Sequence, residues 1–203
     1  MDRDMRFAAS FLLLTIASLA GGGCAVSRPV HYYALQSAEP HMNPERPDGP
    51  TILVANIAAA ESLQDARILY RAGANQEGAY DLHHWTERPS VMVRDGLIGA
   101  LRASGKYRRV LESSSSAIGD YLVRGRLYEF DEIDSQAIQT RISLQLEMID
   151  KKTTGVVWDH LFERDEPASG KSIAEVVASM DRNLAQIANQ AAAEIERFLA
   201  GQH

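Results

Sequence analysis

The sequence predicts an α/β domain whose second half is an antiparallel meander closed by a long C-terminal helix, and three observations predict it. Residues 138–148 alternate strictly. Ile138, Thr140, Ile142, Leu144, Leu146 and Met148 lie on one side and Gln139, Arg141, Ser143, Gln145 and Glu147 on the other, the period of a half-buried strand. Near the C-terminus, Val176, Met180, Leu184, Ile187, Ala191, Ile195 and Phe198 draw one apolar stripe at helical spacing. Earlier in the chain, β-branched runs are followed by Val93, Leu97 and Leu101 on one helical face behind Pro89.

In chain order, His31 to Leu35 suits a short strand, and the polar, Pro-rich stretch Glu39 to Pro50 is a connecting loop. Thr51 to Ile57 is a β-branched run that reads as a buried strand. Ile68 to Arg71 and Ala79 to Leu82 read as shorter strands around a turn at Gly73 to Gly78, at a sheet edge. A helix opens at Pro89, covers the sheet and ends at Gly105. Tyr107 to Leu111 resumes as a strand, Ser113 to Ser116 form a polar loop, and three strand runs then make the meander, with a turn at Asp150 to Gly155 before Val156 to Phe162. Ser172 with Glu175 three residues on is a capping box, so the last helix starts there.

The lone cysteine, Cys24, follows a short polar start with Arg3 and Arg6 and an apolar run from Phe7 to Leu19 that is too short to span a bilayer comfortably. Gly22 and Gly23 are the small residues a lipoprotein peptidase needs just before its cysteine, although Leu19 stands five positions ahead rather than three, and Asp2 and Asp4 dilute the basic start. The reading is a signal peptide over 1–23, a lipidated tether over 24–27 with acyl chains on Cys24, and one domain over 28–203. The alternative is an ordinary secretory cut that leaves one free thiol. A single cysteine makes no disulfide within the chain, so an exported domain depends on its core. Ala25 after the cysteine, where aspartate would favour the inner membrane, points to the outer membrane and the periplasm.

About 180 residues beyond the signal can build one real core, and the formal net charge of −6 argues against nucleic-acid binding. The basic group Arg102, Lys106, Arg108 and Arg109 reads as a solvated helix end. Gly170, Lys171 and Ser172 resemble the end of a phosphate loop, but Asp165 stands where its first glycine belongs. His83 and His84, adjacent on a strand, point to opposite faces and cannot easily share a metal. Asp131, Glu132 and Asp134, with Glu163, Asp165 and Glu166, read as solvated turn residues at strand ends. No nucleophile elbow, zincin helix or glycine-rich cofactor turn accompanies them, so no enzyme, cofactor or metal is expected. Trp85 reads first as a packing anchor and second as a partner contact.

Four features together resemble the auxiliary lipoproteins of ABC-type transport systems, the lipoprotein members of MCE-type lipid transporters. They are the start at Cys24; the Tyr32, Tyr33 and Leu35 strand; Ile68, Leu69, Tyr70 and Arg71 followed by Tyr80; and His84, Trp85, Thr86, Glu87, Arg88 and Pro89 before a helix. The resemblance implies a three-layer α/β domain with a mixed sheet and flanking helices. It also implies a non-enzymatic role in moving phospholipid or another hydrophobic substrate, beside an MCE-domain substrate-binding protein, a permease and an ATPase, with self-association in some relatives. Tyr70, His84, Trp85 and Arg88 are then the docking candidates, with the polar face of the meander as a second surface. A lipoprotein that chaperones or plugs an outer-membrane assembly, as in lipopolysaccharide export, is the competing expectation.

Overall fold

The computed structural model describes residues 28–38, 46, 48–73, 75–113 and 118–201. The signal stretch, Cys24 and the tether, most of the Glu39 to Pro50 loop and all but the first residue of the Ser113 to Ser116 loop lie outside the described residues.

Among the described residues nine strands form one mixed sheet. They are β1 (His31–Tyr33), β2 (Thr51–Val54), β3 (Ala58–Ala59), β4 (Arg67–Ala72), β5 (Glu77–Trp85), β6 (Arg109–Glu112), β7 (Tyr121–Asp134), β8 (Ile138–Asp150) and β9 (Val156–Pro167). The helices are α1 (Pro89–Ala103) and α2 (Ile173–Ala200).

β7 organises the sheet. Along one edge it pairs antiparallel with β8 from Tyr121↔Asp150 to Asp134↔Ile138, and β9 follows antiparallel on β8. Along its other edge it pairs in parallel with β2, then β3, then β4. Because β6 lies beyond β2, and β5 and β1 lie beyond β4, the sheet forks on that side. The expected meander is β7, β8 and β9, and the expected hairpin is β4 with β5, turned at Gly73 with a φ of +82°.

Local signals placed the helices. Pro89 occupies the first turn of α1, where its missing N–H costs nothing, and Gly105 follows the C-terminus at a φ of +64° that favours glycine. At α2 the Glu175 amide donates to the Ser172 hydroxyl at 3.4 Å, and the Glu175 carboxylate accepts from the Ser172 amide at 3.0 Å.

One continuous core joins both helices to the same face of the sheet. Val93, Leu97 and Leu101 of α1, and Met180, Leu184, Ile187 and Ala191 of α2, pack with Ile52, Val54, Val123, Leu127, Ile142, Leu144 and Leu146. The six apolar-side residues of the β8 alternation are all buried, whereas Gln139, Arg141, Gln145 and Glu147 are only half-buried, and Ser143 alone on that side is buried. In β7 the alternation breaks. Leu127 and Phe130, three residues apart, both enter the core because a bulge lets Tyr128 and Glu129 follow one another on the other face.

A polar seam crosses this core. Asn183 of α2 is 0% exposed and donates from Nδ2 to the carbonyls of Thr140 at 2.9 Å and Arg164 at 3.1 Å. Ser179, one turn earlier, donates to the Glu166 carbonyl at 2.8 Å and shares a 3.0 Å hydrogen bond with the Thr140 hydroxyl. These bonds pin α2 to β8 and β9 at one register, which apolar contact alone does not fix.

Candidate functional site

The face of the meander opposite the helices is the polar one. Arg124, Arg126, Tyr128, Asp159, Leu161, Glu163 and Asp165 stand exposed on it. Two cross-strand ion pairs lie on it. Arg124 meets Glu147 at 2.8 Å, and Arg141 meets Asp165 in a two-pronged contact at 2.6 Å that lowers the carboxylate's pKa. Tyr128, 42% exposed, donates to Gln145 at 2.9 Å and lies under the Arg126 guanidinium at 5.7 Å from its ring centre. Leu161, 48% exposed, stands two strands away. Exposed aromatic and aliphatic side chains thus stand beside cross-strand ion pairs on this face.

On this face lies a shallow concavity of about 580 Å³ that includes Arg71, Tyr128, Glu129, Ser143, Leu161 and Glu163. Arg71 of β4 supplies its positive centre, 2.7 Å from Glu129 and 2.8 Å from Asp131. Asp131 is 2% exposed, and one of its oxygens, Oδ1, is buried with no partner among the described residues. Burial pushes its carboxyl up to about 6 against the pull of Arg71. On the other side of the strand, Glu132 is also buried, accepts from the Tyr80 hydroxyl at 3.0 Å and has its pKa raised by desolvation.

This corrects the reading of the acidic group. Asp131 and Glu132 are not solvated turn residues; β8 pairs with β7 through to Asp134, so both sit inside a strand with built partners. Glu163, Asp165 and Glu166 likewise belong to β9, where Glu166 joins Arg164 at 2.8 Å and Arg182 at 3.0 Å. Arg102 too is more than a solvated helix end: Nε and Nη2 donate to the Val110 carbonyl at 3.1 and 2.9 Å, strapping α1 to β6. Lys106 pairs with Glu196 at 3.3 Å.

The docking candidates separate. Trp85 ends β5 at 1% exposure with its ring edge-on to Phe130, so it packs the core and presents no surface to a partner. Tyr70 is half-buried, packed against Tyr80 at 5.0 Å and covering Gly78, where a Cβ would strike its ring. His84 is half-buried, within 3.1 Å of the Asp81 carbonyl and edge-on to Tyr32 at 5.7 Å. Arg88 is exposed at the N-cap of α1. The two histidines do diverge, His83 bonding the Tyr33 hydroxyl at 2.9 Å while His84 faces Tyr32. Among the described residues no group of three or more His, Cys, Asp or Glu could hold a metal ion. The start of α2 is filled by the Glu175 carboxylate, which lies against Gly170 where a phosphate would have to sit.

Comparison with known proteins bears on this geometry. The family model described as "ABC-type transport auxiliary lipoprotein component" matches residues 33–192. The fold is similar to that of a Xanthomonas campestris protein of the DUF330 family, with a TM-score of 0.71, 21% identity, and coverage of 85% of this chain and 97% of that one. It is also similar to a protein described as uncharacterized, with a TM-score of 0.66, 17% identity, and coverage of 83% and 99%. None of the curated proteins compared with the chain matches it. Among the described residues no helix is long and apolar enough to cross a membrane.

Proposed function

The chain belongs to the ABC-type transport auxiliary lipoprotein family, and from that premise we propose that it is a non-enzymatic, lipid-anchored component of an MCE-type transport system. Cys24 carries the acyl anchor, in the outer membrane and facing the periplasm. The protein docks on an MCE-domain substrate-binding subunit that works with a permease and an ATPase to move phospholipid or another hydrophobic substrate. A second copy of the chain is a further partner within this reading.

The observation that carries the reading is the family match over 33–192 directly behind a lone cysteine placed as a lipoprotein's is. The open face of the meander supports docking as the mode of action, because it offers Tyr128 and Leu161 beside the ion pairs Arg124–Glu147 and Arg141–Asp165. Paired charges cost less to desolvate than free ones, so a partner can cover them. Arg88, with Tyr70 and His84 nearer the other sheet edge, forms the second contact region.

The test is a crosslinked pull-down of the full-length lipoprotein from its own membranes, with Cys24→Ala as control. The expected result is recovery of an MCE subunit with its permease and ATPase, reduced in the control. Recovery of barrel-assembly or lipopolysaccharide-export proteins alone would replace this reading by that of a chaperone or plug.

A further inference from the structure

β1 is a three-residue edge strand, paired only with β5, and it is guarded in an uncommon way. Edge strands are usually protected by charge, above all lysine, or by proline. Pro29 stands ahead of this one, but the strand itself presents rings and an aliphatic neighbour. Tyr32 is 65% exposed and Val30 is 42% exposed, two of the six large apolar side chains exposed among the described residues.

These side chains are fixed in place. Tyr32 meets His84 edge-on at 5.7 Å, His31 stacks on His83 at 5.4 Å, and the Tyr33 carbonyl accepts from the Thr86 amide at 2.8 Å. A tyrosine with an apolar ring and a polar tip, held outward by a sheet, matches the boundary between lipid headgroups and acyl chains.

Covalent reach decides which surface can meet that boundary. Five residues lie between Cys24 and Val30, and the six Cα-to-Cα steps span at most about 22 Å when fully extended. The opposite edge of the sheet, β9, lies five strand spacings from β1, or about 24 Å. With β9 against the bilayer, Val30 would stand so high that the tether would have to be stretched to its full length. The open meander face is a poor alternative, since its ion pairs Arg124–Glu147 and Arg141–Asp165 and the exposed carboxylates of Asp159 and Glu163 would have to leave water.

We propose that the β1 edge, with Val30 and Tyr32, is a membrane-seating surface whose partner is the lipid headgroup layer. This rests on Cys24 being the acylated anchor. It sets the domain's orientation: the β1 edge lies on the bilayer, and the β7 to β9 face stands clear of it for a protein partner.

The experiment uses the full-length acylated protein in vesicles of phosphatidylethanolamine and phosphatidylglycerol that contain a headgroup-level spin-labelled lipid. An environment-sensitive fluorophore is attached through Tyr32→Cys, Val30→Cys, Tyr128→Cys or Val156→Cys, one at a time. The acylated Cys24 leaves the new thiol as the single reactive one. The expected result is several-fold stronger quenching at positions 30 and 32 than at 128 and 156. Equal quenching at all four, or stronger quenching at 128, overturns the inference, as does protection of position 32 only when transport subunits are added, which would make the edge a protein site. Vesicle flotation separates the two premises. A chain that floats without quenching at 30 and 32 defeats the seating alone, while a chain that does not float defeats the anchor and the seating together.

Discussion

The indole of Trp85 meets the ring of Phe130 edge-on, centroids 5.7 Å apart and each residue 1% exposed, so the end of β5 is fastened to the middle of β7 across β4. Removing the indole opens a cavity in a core that cannot close around it. Trp85→Ala is expected to cost about 3–5 kcal/mol, a large share of a domain's stability, and Trp85→Phe about 1–2 kcal/mol. Urea unfolding measures both. A docking role for this residue would give the opposite pattern, with stability preserved and partner capture lost.

The seam under α2 makes a different demand. Asn183→Ala strips donors from the carbonyls of Thr140 and Arg164 in a site that water does not reach, and about 2 kcal/mol of stability should go with them. Asn183→Leu is the sharper test. It restores volume but not the hydrogen bonds, so a purely apolar account of α2 predicts recovery and the seam predicts none. Thermal unfolding of the two variants side by side decides it.

What the sequence reveals and what it hides follow from range. The capping box at Ser172 and Glu175, the Pro89 start of α1 and the period of β8 are set by residues within a few positions of one another, and each is present as read. β5 runs on through His83 to Trp85 because β1 pairs with it, and Tyr33 and His83 are 50 residues apart. Asp131 and Glu132 looked like turn residues because the groups that make their burial tolerable, Arg71 and Tyr80, lie 60 and 52 residues away. The seam was hidden for a subtler reason. Ser179 and Asn183 fall on the apolar stripe of α2, and a search for apolar period passes over polar residues there. Of the docking surface, the polar side of β8 was legible, but the bulge that sets Glu129 beside Tyr128 was not.

Asp131 gives stability a pH dependence of predictable sign. Its native carboxyl keeps a proton up to about pH 6, whereas the unfolded chain releases it near 3.8, the ordinary aspartate value. The native state therefore binds more protons in that interval, and its stability falls as pH rises through it. Asp131→Asn imitates the protonated form and leaves Arg71 its contact with Glu129. The variant should exceed the parent by about 3 kcal/mol at most at pH 7, and the gap should close near pH 4. Urea titrations at the two pH values measure it; a variant less stable than the parent at pH 7 would mean that Arg71, and not burial, dominates the site.

Docking through the open meander face predicts that binding and stability come apart there. Tyr128 and Leu161 are 42% and 48% exposed, so Tyr128→Ala with Leu161→Ala should alter stability by no more than about 1 kcal/mol in sum. If the two side chains are anchors of the interface, their loss should weaken partner capture at least about tenfold, the equivalent of about 1.4 kcal/mol. Val156→Ala is the matched control, since Val156 is 51% exposed at the start of β9 but lies beyond the paired charges. Arg126→Glu probes the same face electrostatically: it should slow association and change its salt dependence while leaving the fold intact, because Arg126 is exposed and meets Tyr128 only through its ring. Capture that survives all of these changes would move the docking site to the Arg88 end of α1, where the surface is built from a helix start and not from paired strands.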